Sequence, residues 1–228
     1  MSLQLASEEP EAGPWRAELL TAVIDGLIRR GGDRAVAGRP VILAVDGRSD
    51  AGKTTLTDRI CQATAGSAIV HTDDIAWEHS RFGWADRLVS GVLIPAREGQ
   101  PVSYRPPPWI EHDRAGAIEV PAGCPLVIVE GDGAGRRELA HLIDALIWVQ
   151  TDERVAEQRR LERTATPNAS DLVNMPVNDP WDHLGWLAEE IPFNSAQRTW
   201  ERADLIVCGS PQIPCDPATE IVVAPPPR

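Results

Sequence analysis

The chain has 228 residues and carries 34 Asp and Glu against 22 Lys and Arg, a formal net charge of -12 at pH 7. That length suits one sizeable α/β domain better than two small ones. The acidic balance argues against a nucleic-acid partner, because phosphate backbones are gripped by clustered Lys and Arg. Cys61, Cys124, Cys208 and Cys215 form no CxxC pair, so reduced thiols of a cytoplasmic protein are expected rather than a disulfide framework or a zinc site. The N-terminus has no basic n-region or apolar h-region, and no apolar run approaches the ~20 residues that span a bilayer; no signal peptide and no membrane contact are expected.

In chain order, residues 1–13 read as a flexible tail rich in Glu, Ala and Pro. "PWRAELLTAVIDGLIRRGG" spaces Trp15, Leu19, Leu20, Val23, Ile24, Leu27 and Ile28 as a helix, opened by Pro14 and closed by Gly31 and Gly32. "RPVILAVDG" is continuously apolar and β-branched, as expected of a strand buried on both faces. A helix follows over about 52–64, and "SAIVHTDD", "PLVIVEG", "DALIWVQ" and "DLIVCG" read as four more strands. "ERVAEQRRLERTA" is a charged helix, and "WDHLGWLAEEIPFNSAQRTWERA" a long one interrupted near Pro192. This alternation predicts an α/β fold of about five parallel strands with helices on both faces. A segment over about 78–123, rich in Pro and aromatics, breaks the rhythm and reads as a loop or lobe over the sheet edge. The domain should run over 14–210, with 211–228 as an extended tail.

Gly47-Arg48-Ser49-Asp50-Ala51-Gly52-Lys53-Thr54 fits G-x-x-x-x-G-K-[ST], with a strand before it and a helix-compatible stretch after it, and Thr55 is counted with these residues as nucleotide-binding. Loop amides and a helix N-terminus in that order wrap the phosphates of a nucleotide. Lys53 would reach the β- and γ-phosphates, and the Thr54 hydroxyl would ligate Mg²⁺. Asp50 puts a carboxylate in an anion-binding loop. The position is expected to need positive φ, which Asp tolerates, and to point its charge away from the phosphates toward Arg48. No N-K-x-D occurs to read guanine, and "DGAG" at 132–135 is a weak match to D-x-x-G.

"GRSDAGKTT", "VHTDDIAW", "LVIVEGDGAG" and "VQTDERVAEQRRLER", in that order, resemble the uridine kinase family and its relatives, the nicotinamide riboside, pantothenate and phosphoribulo-kinases. The resemblance covers roughly residues 40–208 and implies a P-loop NTPase fold, an enzyme that uses ATP and Mg²⁺, and a small-molecule acceptor, a nucleoside such as uridine before the others. It implies that Asp73 accepts the proton of the attacking hydroxyl, a role that also suits a carboxylate at the C-terminal end of a parallel strand. The bare alternative for Asp73 and Asp74 is to cap the next helix, and Asp74 could instead help hold Mg²⁺. Glu130 matches the acidic residue that acts near the metal.

The resemblance also implies a lid over about 152–180 whose arginines close on the triphosphate. Arg159 and Arg163, four residues apart, would share one helix face, though Glu153, Glu157 and Glu162 could pair with such charges on a solvated face. By position, Tyr104, Trp109 and His112 are candidates to hold the acceptor, with Arg105 or Arg114 nearby; they could equally pin a Pro-rich loop to the body. Trp77 and Trp84 could line the same pocket, while Trp181, Trp186 and Trp200 are expected to pack on the sheet. His71 reads as an ordinary strand residue. A nucleotide-binding regulatory module with little catalysis is the competing reading, and a homo-oligomer is compatible with either.

Overall fold

The structure, a computed structural model, describes residues 3–5, 8–32, 38–165 and 183–227. Its central sheet runs β2 (Val41–Gly47), β3 (Ala68–His71), β6 (Leu126–Glu130), β7 (Ala145–Gln150) and β8 (Leu205–Cys208) as parallel strands, flanked by antiparallel β1 (Arg16–Leu19) and β9 (Glu220–Ala224). The strand order is β1-β9-β8-β7-β2-β6-β3. The five parallel strands and the α/β class are those the sequence predicts; β9 and β1, which extend the sheet beyond β8, are additions.

Those additions correct the reading of both ends. Arg16 to Leu19 pair with Val223 to Glu220 instead of opening the first helix, so α1 runs over Leu20–Gly32. Tertiary pairing with a β-branched partner overrides the helical spacing of Trp15 and Leu19. The described part of the N-terminal segment is also pinned: Ala12 N–H donates to Gln150 Oε1 at 2.9 Å, and Glu153 N–H donates to the Gln4 carbonyl at 2.7 Å. The 211–228 stretch contains β9, whose Ile221, Val222, Val223 and Ala224 are buried.

Successive residues of the buried strands alternate between two core layers. Leu43, Val45, Ile128, Ile147 and Val149 face α1 and α2 (Lys53–Ala63), where Leu20, Ile24, Leu27, Leu56 and Ile60 cover them. Ile42, Ala44, Val127, Val129 and Trp148 face the other way, onto Ile75, Trp84, Leu88, Val92, Leu93 and Trp200. A buried ion pair fastens the strand starts. Arg39 Nη1 and Nη2 reach Asp144 Oδ2 and Oδ1 at 2.7 and 2.8 Å, and Asp144 also accepts Ile42 N–H at 2.9 Å.

The middle segment is not the irregular loop that its composition suggests. Helix α3 (Thr72–Ala76) is followed by a rod of α4 (Ala85–Leu88), a π-turn (Val89–Leu93) and α5 (Ile94–Arg97). A hairpin of β4 (Val102–Tyr104) and β5 (Ile118–Val120) encloses α6 (Pro107–Glu111). Leu88, Val92, Leu93 and Ala96 are fully buried, so the segment is a second layer of the core. After β7, α7 covers Glu153–Ala165 and α8 covers His183–Gln197, which passes through Pro192 as one helix. Residues 166–182, with Trp181 and most of the expected lid range, lie outside the described residues. Among the described residues no helix is long and apolar enough to cross a membrane, and all four cysteines are free thiols.

Candidate active site

The C-terminal ends of β2, β6 and β3 meet in register: Glu130 faces Val45 on one side and His71 on the other. The crevice beyond parallel strand ends is where α/β sheets bind ligands. Into it β2 delivers the phosphate loop, β6 delivers Glu130 and Asp132, and β3 delivers His71 and Asp73.

The loop backbone has the conformation an anion cradle needs. Gly52, with φ of 99°, is the N-cap of α2 and no side chain caps that helix. The N–H groups of Gly52, Lys53, Thr54 and Thr55 accordingly have no backbone acceptor among the described residues. Gly47 is required for a different reason: a Cβ there would sit 2.7 Å from the Val149 carbonyl oxygen. Ala51 is buried, its carbonyl accepting the Thr151 hydroxyl at 2.7 Å. Asp50 has φ of 60°, as its position in the loop predicts. Its carboxylate turns to Arg163, at 3.1 Å, and not to Arg48, which pairs with Glu153 at 3.4 Å. Arg159 donates to the carbonyls of Asp50 and Gly209 at 3.2 and 2.7 Å. Arg159 and Arg163 of α7 thus brace the loop at Asp50.

Lys53 is buried, with Nζ donating to the Gly47 and Arg48 carbonyls at 2.9 Å each and to Asp132 Oδ1 at 2.5 Å. Burial alone would lower its pKa; the charges of Asp132 and Glu130 outweigh it and hold the ammonium above its ordinary value. The Thr54 hydroxyl donates to Glu130 Oε1 at 3.2 Å, and Glu130 Oε2 lies 2.6 Å from His71 Nδ1, a bond that raises the His71 pKa. Asp73 stands at the start of α3 with an exposed face, and no described residue hydrogen-bonds its carboxylate. Crowding by protein, followed by the negative charges of Glu130 and Asp132, raises its pKa to about 6.

Asp74 is placed differently from the metal role considered for it. Its carboxylate takes an ion pair from Arg114 at 2.6 Å, and its carbonyl accepts Trp109 Nε1–H at 2.9 Å. Arg114 lies 3.8 Å over the Trp109 ring and 5.0 Å over that of Trp77, whose edge meets the exposed His112 at 5.6 Å. Trp109 and His112 are therefore gathered beside Asp74, and Tyr104 packs its ring on the π-turn at Gly91. Trp84 is fully buried core.

Four residues that carry the site were not singled out by sequence pattern. Asp46, wholly buried, accepts Gly47 and Gly133 N–H on Oδ1 at 2.8 and 2.9 Å and Gly135 N–H on Oδ2 at 2.9 Å, tying the phosphate loop to the 132–135 turn. Burial raises its pKa to about 6 against the pull of those amides. Asp132 holds Lys53 and accepts the Ser49 hydroxyl at 2.8 Å. His71 supports Glu130. Glu190 of α8 accepts Ser49 N–H at 2.6 Å, and burial, then the charge of Asp132, raises its pKa to about 7. The spacing of Trp186 and Glu190, one helical turn apart, was the available signal, because Trp186 Nε1 donates to Ser49 Oγ at 2.7 Å.

The donor set suits Mg²⁺ on phosphate. Thr54 Oγ1, Glu130 and Asp132 are hard oxygen ligands beside the loop. No group of three or more His, Cys, Asp or Glu close enough to hold an ion by itself occurs among the described residues.

No protein-family model matches the chain, and a comparison with curated proteins gives no match. Among solved structures, it is similar to a provisionally assigned fructose transport system kinase from Silicibacter sp. TM1040, at 17% identity, with a TM-score of 0.54 over 79% of this chain and 94% of that one. It is also similar to a possible uridine kinase from Bacillus stearothermophilus, at 18% identity and a TM-score of 0.46 over 82% and 98% of the two chains. At these identities the likeness speaks for the fold alone: the chain shares the mixed α/β fold of the Silicibacter structure.

Proposed function

We propose that this protein transfers the γ-phosphoryl group of ATP, with Mg²⁺, to a hydroxyl of a small molecule, a nucleoside in the first place. The observation that carries the reading is the pairing of a buried Lys53 under uncapped helix amides with Asp73, a carboxylate that no described residue hydrogen-bonds, just beyond the end of β3. The amides of the loop and of α2 hold the phosphates, and Lys53 neutralises charge on the transferring group. Thr54, with Glu130 and Asp132 through water, would hold Mg²⁺, which supplies charge neutralisation on the phosphate oxygens. Asp73 orients the acceptor hydroxyl and takes its proton as the new O–P bond forms and the β–γ bridge breaks, leaving ADP. Arg159 and Arg163, which contact the loop at Asp50, would turn onto the triphosphate.

The acceptor would lie between Asp73 and the Trp77, Trp109 and His112 cluster, whose aromatic surface suits a base or sugar face. The name of the Silicibacter neighbour adds a free sugar to the candidates. The second reading, a regulatory nucleotide-binding module, is favoured by one observation: Glu190 already bonds a loop amide. Phosphorus NMR of a reaction with Mg·ATP and an acceptor separates the two. A kinase yields a phosphomonoester signal together with ADP, and a binding module yields neither.

A further inference from the structure

Helix α8 lies against the phosphate loop, yet none of its described residues belongs to either core layer, and the two it buries, Glu190 and Asn194, are polar. Ile191 on the same helix is exposed. A helix whose fully buried described side chains are polar depends heavily on its specific contacts, with half-buried Trp186 and Phe193 adding a small aromatic contact to Phe82. The strongest of these contacts are made to one residue of the loop. Ser49 gives its N–H to Glu190 at 2.6 Å and accepts Trp186 Nε1–H on its hydroxyl at 2.7 Å. Other contacts reach the segment after α3, where Glu189 meets Arg81 at 3.0 Å and Phe193 stacks on Phe82 with ring centroids 4.1 Å apart, and the turn after β6, where Arg136 lies 4.9 Å over Phe193 and Arg137 N–H donates to Gln197 Oε1 at 2.8 Å.

An N–H of the anion-binding loop is thus bonded to a carboxyl group of the chain itself, an anion at pH above its raised pKa of about 7. The position is electrostatically crowded, because Asp132 takes the Ser49 hydroxyl while Glu190 takes the amide. Lys53 is the shared cation beneath them, and it is engaged by Asp132. A triphosphate entering the cradle would bring further negative charge to the same place and offer the amide a stronger acceptor.

We propose that Glu190 is a tethered anion occupying a phosphate subsite at Ser49, and that an incoming triphosphate displaces it and releases α8 from the loop. This rests on the reading of the loop as a triphosphate site. Docked α8 and bound nucleotide then exclude each other, so the apparent affinity is the intrinsic one reduced by the fraction of molecules with Glu190 displaced. Because α8 also holds Arg81 and Phe82, its release frees the segment that follows Asp73 and Asp74, coupling nucleotide arrival to the acceptor side.

The test is calorimetric titration of wild type, Glu190→Ala, Glu190→Gln and Lys53→Ala with Mg·ATP. It is paired with amide hydrogen exchange over residues 183–197 of the wild type, with and without nucleotide. Displacement predicts tighter binding by Glu190→Ala, on the order of tenfold for the loss of one competing charge-assisted hydrogen bond. Glu190→Gln should gain less, since its amide oxygen can still accept from Ser49, and nucleotide should speed exchange in α8. The proposal is overturned if wild type binds Mg·ATP through Lys53 while Glu190→Ala binds no tighter, or if nucleotide slows exchange in α8. Binding that is unaffected by Lys53→Ala, or absent from every variant, instead removes the triphosphate site itself, and the displacement with it.

Discussion

Lys53 Nζ and Asp132 Oδ1 lie 2.5 Å apart, both side chains buried, at the point where the phosphate loop meets the turn after β6. The carbonyls of Gly47 and Arg48 hold the same ammonium as well. Removing one member of a buried pair strands the other, at a cost of about 3–5 kcal/mol. Lys53→Ala should therefore lower both the melting temperature and nucleotide affinity. Adding Asp132→Asn to it should restore part of the melting temperature and none of the affinity, which thermal melts and calorimetry on the single and double variants would register.

Asp73 has to be ionised to accept a proton. With its pKa raised to about 6, kcat/KM should climb with pH through that value and level off above it. Asp73→Asn should lower kcat by about 10²–10⁴-fold and leave ATP affinity near that of the wild type. A pH–rate profile flat from 5 to 8 would count against Asp73 as the base.

Asp46 accepts three backbone N–H groups, two on Oδ1 and one on Oδ2. In Asp46→Asn an amide N–H must face one of those donors, most directly Gly135 N–H. Stranding a buried donor costs about 1–3 kcal/mol. We expect chemical denaturation to show that loss, and nucleotide binding to weaken with it because the same residue joins the loop to the 132–135 turn.

Asp144 carries the other buried ion pair, remote from the site. Burial would raise its pKa, but the Arg39 hydrogen bonds and the Ile42 amide overcome that and hold it below its ordinary value. A depressed carboxylate stabilises the fold above its unfolded pKa of about 3.9, and that stabilisation is lost as pH falls through the lower folded value. Asp144→Ala strands Arg39, whose side chain is 4% exposed, and should cost about 3–5 kcal/mol without changing KM for ATP. Denaturant melts alongside steady-state kinetics would test both halves.

Where sequence and structure agree, the signal is local. The run Val41–Val45 is apolar at every position because both faces of β2 are buried, and the loop after it is specified by spacing and by the positive φ that Gly52 and Asp50 adopt. Where they diverge, partners distant in sequence decide. Arg16–Leu19 has helical spacing but finds a strand more than 200 residues on, and the Pro-rich stretch around Trp109 folds because Asp74 and Arg114 receive it. Glu190 looks like one of two solvated glutamates in "LAEEI"; its role depends on an amide 141 positions earlier. Asp132 was hidden in a similar way, since a carboxylate after a strand acquires meaning only when Lys53 is seen beneath it.

The central claim is acceptor-dependent phosphoryl transfer. It is tested most directly by measuring ADP release from Mg·ATP across nucleosides, free sugars, nicotinamide riboside, pantothenate and sugar phosphates, with Lys53→Ala and Asp73→Asn alongside. The account expects one acceptor, a nucleoside first, to stimulate release, and both variants to abolish the stimulation. If ATP binds through Lys53 and no acceptor in the panel stimulates release, the account of Asp73 as a catalytic base is contradicted and the protein is a nucleotide-binding module.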